Sequence, residues 1–324
     1  MAHGKSITVA SRLAVLQLIR WSLPIVTGVE GGNYMRTILR KSFSIWVKNL
    51  FFLAVFVAAF VGLQQQGFAF EHYDVVHFPA AEVNKTSETK GDRNGYPLWG
   101  HLGRPAGKGP HPAVVLMHGC GGIQQMHFDW AKTLNADGYV TLVVDSFRPR
   151  SLIQQCGGGS TAASPAGRVL DAYGALEFLR GQNDVDPDRI GLMGWSHGGI
   201  SALSAVTDNG VGATFPAEFQ TVIALYPHCV ASRRFTKPVA VIIGASDDWT
   251  SAASCENLQK QTQSHSHVLD LTVYPDAFHG FDNPMFGSGF FVPGAPGQKH
   301  WLQYNRAAHQ KAVQRTKQLL GERL

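Results

Sequence analysis

The sequence predicts an α/β protein whose sheet is mainly parallel, doubly wound and covered by helices on both faces. Short apolar runs rich in β-branched residues alternate along the chain with segments of helical composition. The runs show no polar alternation, which is typical of strands that are buried on both faces of a parallel sheet. With 324 residues, 44% of them apolar, the chain is long enough to bury the core of one such domain.

Eight segments are predicted as strands because they are short, mostly apolar and bounded by turn residues. They span residues 72–78, 98–102, 113–117, 139–144, 190–193, 221–226, 239–244 and 268–274. A polar stretch between the first two, residues 85–96, shows no periodicity and is predicted as an exposed loop.

Five further segments have the composition of helices. They span residues 127–136, 165–179, a stretch that starts near 198, 252–263 and 301–320. The first of them is followed by Gly138, a residue type that favours helix ends. Strands that alternate with helices in this way predict crossover connections and therefore a single doubly wound domain.

Residues 1–69 are predicted to form an N-terminal extension and a signal peptide. Met35 is the predicted start of the signal, because a basic stretch follows it, then the uncharged apolar run 50–63, then small residues that predict cleavage after Ala69. A run of 14 residues is short for a membrane span, so cleavage is favoured over an anchor helix formed by 50–63. We therefore expect residues 70–324 to form one exported domain, periplasmic or secreted, with membrane anchoring by 50–63 as the alternative.

The positive charge of the chain is concentrated near the N-terminus. The whole chain has a formal net charge of +5. Its first 69 residues contain seven Lys and Arg residues but only one acidic residue, Glu30. The predicted domain is thus close to neutral and shows no basic patch in sequence. A nucleic-acid partner is not predicted.

The strongest local signal is the pentapeptide from Gly194 to Gly198, which has the pattern G-x-S-x-G with Ser196 at its centre. It lies between a predicted strand and a predicted helix, where such a motif presents its serine at the carboxyl edge of a sheet. Glycines on both sides allow the tight turn, and the helix N-terminus favours developing negative charge. Ser196 is the predicted nucleophile, and the adjacent Trp195 is a candidate substrate contact.

A serine nucleophile needs a histidine base and a carboxylate, which in this fold follow in the order Ser, Asp, His. His279 comes directly after the last predicted strand and is the predicted base. Asp247 and Asp248 both follow the strand at 239–244, and either can orient an imidazole. The residues alone leave the choice between these two carboxylates open.

The acyl intermediate also requires hydrogen-bond donors for its oxyanion. One predicted donor is the backbone amide of His197, the residue after the nucleophile, and the second is expected from the glycine-rich loop 118–122. Arg148 and Arg150 follow another predicted strand and are candidate ligands for a substrate carboxylate. Equally, these arginines are expected to be solvated or to pair with acids such as Asp171.

Together, the loop 118–122, the pentapeptide 194–198, the acid loop 244–248 and the segment 278–281 resemble the dienelactone hydrolase family of the α/β-hydrolase superfamily. The resemblance extends from about residue 112 to the C-terminus and implies the α/β-hydrolase fold. The family's Gly-x-x-Asp pattern after a strand selects Asp247 as the acid. Its second oxyanion donor corresponds to the amide of Cys120.

The sequence departs from that family at two positions. Dienelactone-cleaving members use a cysteine nucleophile, whereas Ser196 stands here, and they carry a glutamate where Gly119 stands here. Both departures favour serine chemistry and argue against dienelactone as the substrate. An even number of cysteines in an exported chain favours disulfides, although four cysteines allow three connectivities. Beside the resemblance, the expected pairs are Cys120–Cys156 and Cys229–Cys255.

The sequence therefore predicts a serine hydrolase that cleaves small carboxylic esters or lactones through an acyl-Ser196 intermediate. Neither a cofactor nor a metal site is predicted, since no cysteines or histidines show a metal-ligand spacing that stands out. No stable membrane span is expected after signal cleavage, and no oligomeric state is indicated. The alternatives are an acyltransferase or peptidase with the same triad, and a binding module that has the hydrolase fold without turnover.

Overall fold

The computed structural model of the protein describes residues 73–83, 95–157, 163–265, 267–294 and 297–324. The predicted N-terminal extension and signal peptide lie outside the described residues, and so do Met35, the cleavage site after Ala69 and the alternative anchor 50–63. Most of the predicted polar loop 85–96 also lies outside them. No helix within the described ranges combines the length and the apolar character that a membrane span requires.

An eight-stranded sheet forms the centre of the domain, with strand order β1-β2-β4-β3-β5-β6-β7-β8. Strands β1 and β2 run antiparallel to each other, β2 runs antiparallel to β4, and all later neighbours are parallel. The strand bounds are β1 Asp74–Pro79, β2 Pro97–Gly103, β3 His111–Met117, β4 Val140–Asp145, β5 Val185–Trp195, β6 Val222–Leu225, β7 Val239–Gly244 and β8 Asp270–Tyr274. Each corresponds to a predicted strand, although β5 begins five residues before the predicted 190–193 segment.

Five α-helices accompany the sheet in the described part of the chain. They are α1 Gln125–Ala136, α2 Arg168–Arg180, α3 His197–Ala205, α4 Ala252–Thr262 and α5 Arg306–Arg323. The predicted α/β-hydrolase fold, a mainly parallel sheet with helices on both faces, is confirmed. Two neighbouring residues of β5 show how the faces are covered. Trp195 packs against Trp130 of α1, whereas Gly194 lies against Gly198 of α3. Because neighbouring strand residues point to opposite faces, α1 and α3 cover opposite faces of the sheet.

The core explains the unbroken apolar runs of the sequence. All five residues from Ala113 to Met117 in β3 are fully buried, and β4 and β7 are buried along their whole length. A strand with helices on both sides has no solvent-facing residues, so polar alternation disappears.

The predicted start of the last helix was wrong. The helix expected over 301–320 begins only at Arg306, where the Asn305 side chain accepts a hydrogen bond from Ala308 N and caps the helix. Trp301 instead belongs to an unpredicted hairpin, formed by β9 Phe290–Pro293 and β10 Lys299–Leu302.

A buried ion pair fastens the turn after β4 to helix α2. Arg150 donates two hydrogen bonds to Asp171, at 3.0 and 2.7 Å, and a third to Ser146 O. The side chains of Arg150 and Asp171 are 3% and 0% exposed. Arg150 therefore makes the structural pairing that was the alternative to a role in substrate binding.

We predict that Asp171→Asn lowers the free energy of unfolding by about 3–5 kcal/mol, because it leaves Arg150 buried without a counter-charge. Urea unfolding measures the change. The control is Asp186→Asn, which breaks the partly exposed pair of Asp186 with Arg189 and should cost less than about 1 kcal/mol. Equal losses in the two variants would contradict the assignment.

Candidate active site

Ser196 occupies a sharp turn between β5 and α3. Its backbone has φ 49° and ψ −114°, a conformation that residues with a side chain rarely adopt. The turn is held by a hydrogen bond of 2.9 Å from Ser196 N to Leu225 O of β6. The serine hydroxyl is thereby presented at the carboxyl edge of the sheet.

The two glycines of the pentapeptide are required by close backbone contacts. A Cβ on Gly194 would collide with the carbonyl oxygen of Gly198, and a Cβ on Gly198 would collide with that of Met117 in β3. The G-x-S-x-G pattern is thus a packing requirement of a strand, a turn and a helix that meet at one point.

The structure brings Ser196, His279 and Asp247 into one hydrogen-bonded chain. His279 Nε2 lies 2.9 Å from Ser196 Oγ, and His279 Nδ1 lies 2.8 Å from Asp247 Oδ2. His279 follows β8 and Asp247 follows β7, so the groups converge because parallel strands end at the same edge. The distances suit a hydroxyl that donates to Nε2 and an Nδ1–H that donates to the carboxylate.

Asp247 is buried but well supplied with donors. Its Oδ1 accepts hydrogen bonds from the backbone amides of Trp249 and Thr250, at 2.9 and 2.8 Å, and its Oδ2 accepts one from Thr250 Oγ1 at 2.9 Å. Burial by itself raises the pKa of Asp247, but the nearby His279 and these hydrogen bonds outweigh it, so the pKa lies below its usual value. The carboxylate is therefore ionised and fixed in orientation.

Asp248 has a different position. Its side chain is 45% exposed, and both its carboxylate oxygens accept from Trp301 N of β10, at 3.1 and 3.2 Å. His300 Nδ1 donates to the Asp248 carbonyl oxygen, and the His300 ring stacks on Trp249 with ring centroids 4.8 Å apart. Asp248 therefore anchors the hairpin, and only Asp247 contacts His279.

The loop after β3 runs beside the serine. A Cβ placed on Gly119 would lie 3.7 Å from Ser196 Cβ. The amide of the next residue, Cys120, has no hydrogen-bond partner within the described ranges, and the His197 amide, first in α3, has no acceptor inside its own helix. Both predicted oxyanion donors, the amides of Cys120 and His197, are therefore close to Ser196. Within the described residues, neither N–H is occupied by a hydrogen bond from its own loop or helix.

Two disulfides are present, Cys120–Cys156 and Cys229–Cys255, with the predicted pairing. The first ties the loop after β3 to the segment after β4, and Gln155 N also donates to Cys120 O at 2.7 Å. The second fastens the segment after β6 to helix α4. One disulfide therefore constrains a predicted oxyanion donor directly, and the other does not.

Arg168, at the start of α2, was not predicted as a site residue. It is fully buried, donates to His118 O and lies 2.8 Å from His197 Nδ1. Burial lowers the pKa of Arg168 to about 10, and burial together with Arg168 lowers the pKa of His197 to about 3, so the His197 ring is neutral and accepts. Arg168 thus links the two segments that carry the oxyanion donors. A single arginine at a helix start carries no sequence signal for such a position.

Asp282 was also missed. This fully buried carboxylate accepts hydrogen bonds from the indoles of Trp130 and Trp195, both at 2.8 Å, and from the Tyr226 hydroxyl at 2.6 Å. Burial and then the charge of Asp282 raise the pKa of Tyr226 well above its usual value, so Tyr226 stays a donor. The Tyr226 ring packs edge-on against His279, 4.7 Å between centroids. Asp282 thereby joins the strand before Ser196 to the loop of His279.

Two cavities meet at Ser196. The larger, about 510 Å³, has mainly aromatic and aliphatic walls and includes His279, and the smaller is about 220 Å³. No Asp, Glu, Lys or Arg lines either cavity within the described part of the chain. Arg148, whose side chain is 69% exposed near Asp145, and Arg150 thus lie outside both. Trp195 lines the larger cavity, and its indole nitrogen is bonded to Asp282.

A mainly parallel eight-stranded sheet with a serine at a strained strand-to-helix turn defines the class of protein as an α/β-hydrolase. Residues 98–324 match the sequence model of the dienelactone hydrolase family. The chain belongs to this family of hydrolases.

Individual relatives agree with this assignment. The chain is 27% identical over 199 residues to a probable 2-oxo-3-(5-oxofuran-2-ylidene)propanoate lactonase of Bradyrhizobium. This alignment covers 58% of the chain and 80% of the relative. It is also 27% identical over 188 residues to a thiohydrolase of Aspergillus aculeatus, and this match spans 57% of the chain but only 55% of that protein. Among solved structures, a dienelactone hydrolase-like promiscuous phosphotriesterase from metagenomic libraries superimposes with a TM-score of 0.57 at 18% identity, over 77% of the chain and 98% of its own.

We predict that Asp247→Asn lowers kcat by about 10⁴-fold, because an amide cannot hold the imidazole tautomer or stabilise its cation. The matched variant Asp248→Asn should keep kcat within about tenfold on a small ester, since it alters only the hairpin anchor. Steady-state kinetics with p-nitrophenyl acetate compare the two. A larger loss in Asp248→Asn would reassign the acid.

We also predict that replacement of Cys120 and Cys156 by serine lowers kcat more strongly than removal of the second disulfide does. The loop that carries one oxyanion donor would lose its constraint, and the complete loss of such a donor costs about 10²–10³-fold in kcat. Removal of Cys229–Cys255 is the control, with a lower Tm and a nearly unchanged kcat at low temperature. The reverse pattern would refute the role of the first disulfide.

Proposed function

We propose that the protein is a serine hydrolase that cleaves uncharged carboxylic esters or lactones through an acyl-Ser196 intermediate. The observation that carries this proposal is the continuous hydrogen-bonded chain Ser196–His279–Asp247, with both links shorter than 3.0 Å. A serine hydroxyl becomes an effective nucleophile when a positioned base takes its proton in the transition state.

In the acylation step, Ser196 Oγ attacks the substrate carbonyl carbon while His279 Nε2 takes the hydroxyl proton. The oxyanion accepts hydrogen bonds from the amides of Cys120 and His197, and Asp247 stabilises the imidazolium. Collapse of the intermediate breaks the bond to the leaving oxygen, which receives the proton from His279. Water then attacks the acyl-enzyme in the same way and releases the acid.

The absence of charged side chains from the described cavity walls supports an uncharged substrate. A substrate carboxylate placed there would lose its hydration without gaining a cationic partner. Arg150 is buried and committed to Asp171, so it offers no cation to a substrate carboxylate. These features favour neutral esters or lactones over the carboxylate-bearing lactone that names the Bradyrhizobium relative.

We further propose that the domain acts outside the cytoplasm. The support is the pair of disulfides, which persist in oxidising compartments.

The test of the function is Ser196→Ala. We expect kcat for p-nitrophenyl acetate to fall by at least about 10³-fold with the fold intact, because the nucleophile is lost. A fluorophosphonate probe should label the native protein at Ser196 and leave this variant unlabelled. Ser204→Ala, on the same helix, is the control and should retain labelling and turnover. Full activity in Ser196→Ala would refute the proposal.

A further inference from the structure

We propose that the two cavities at Ser196 divide the ester, with the alcohol group in the larger, mainly apolar cavity and the acyl group in the smaller cavity, whose walls are more polar than those of the larger. The enzyme then prefers uncharged esters that join a bulky apolar alcohol to a short acyl group. This inference rests on the acyl-Ser196 mechanism proposed above and adds the orientation of the substrate.

The two cavities adjoin each other at Ser196. They share four lining residues, Cys120, Cys156, Ser196 and Trp249, and these form the boundary between them. His279 lines only the larger cavity, whereas His197 lines only the smaller. An ester carbonyl at Ser196 therefore has the predicted base, His279, towards the larger cavity. It has the predicted oxyanion donor of α3, the His197 amide, towards the smaller cavity.

Proton transfer fixes which side receives the alcohol. The proton that leaves Ser196 Oγ must travel through His279 Nε2 to the leaving oxygen, so this oxygen has to lie within hydrogen-bond reach of His279. With the carbonyl oxygen held by the amides of Cys120 and His197, the acyl substituent takes the remaining direction, away from His279. The alcohol thus faces the larger cavity and the acyl chain the smaller.

The cavity walls match this division. Phe286, Phe290, Val292 and Leu302, mostly from the hairpin, give the larger cavity an apolar surface. The smaller cavity has less than half its volume, and its described walls include the polar residues His197, His228, Gln155 and Thr250 beside Trp249 and a single aliphatic residue, Ile200. Each methylene buried against apolar walls improves binding about fourfold, and only the larger cavity offers such walls over a long distance.

The test uses pairs of isomeric esters that differ only in the side on which the bulk lies. The pairs are hexyl acetate with methyl heptanoate, and 2-phenylethyl acetate with methyl 3-phenylpropanoate. We expect the acetate to have a kcat/KM at least about tenfold higher in each pair, after correction for the rates of alkaline hydrolysis. Equal values, or a preference for the methyl esters, would overturn the proposed orientation.

Matched variants test the walls themselves. Val292→Phe narrows the larger cavity and should lower the ratio of kcat/KM for 2-phenylethyl acetate to that for methyl 3-phenylpropanoate. Ile200→Phe narrows the smaller cavity and should raise the same ratio. Fluorophosphonate labelling of each variant verifies that the site is folded, and the opposite shifts would overturn the proposal even if one variant fails to fold.

The outcomes separate this inference from the proposed function. Hydrolysis of the esters with the reverse preference, together with labelling of Ser196, would refute the orientation and leave the serine hydrolase intact. No hydrolysis of any ester and no labelling would refute the proposed function itself.

Discussion

The backbone conformation of Ser196 is the constraint on which the rest of the site depends. A positive φ at a residue with a side chain is unfavourable, and it persists here because β5, α3 and the end of β3 surround Ser196. Gly198 touches the Met117 carbonyl of β3, so the next residues of that strand enter the site directly. The contact that requires a glycine at position 198 also brings the loop of Cys120 beside the nucleophile.

Two buried charged side chains preserve this geometry without touching the predicted reaction centre. Arg168 joins the loop of His118 to His197, and Asp282 joins the strand before Ser196 to the loop of His279. Each charge is costly to bury, and each is hydrogen-bonded to uncharged partners from different segments. An arrangement of this kind keeps the predicted oxyanion donors and the predicted base in place before a substrate binds, which is what electrostatic stabilisation of a transition state requires.

The sequence predicted those features that arise from local pattern or chain order. Buried strands are visible as apolar runs, Ser196 is visible between its glycines, and His279 is visible because it follows the last strand of the main sheet. The choice between Asp247 and Asp248 depended on a family resemblance, because both residues follow the same strand and are distinguished by a tertiary contact, that of Asp247 with His279. Arg168 and Asp282 act through tertiary contacts over long sequence separations, and such contacts have no local signature.

The unpredicted hairpin connects the shape of the larger cavity to the orientation of the base. Asp247 orients His279, while the next residue, Asp248, binds the backbone of Trp301 in the hairpin. Leu302 forms a bridge with His279 and also lines the larger cavity. A displacement of the hairpin would therefore move both a wall of the larger cavity and the loop that carries His279. In the proposed mechanism, substrate selectivity and the geometry of the predicted base are thus properties of one packed unit, and substitutions in the hairpin are expected to change KM and kcat together.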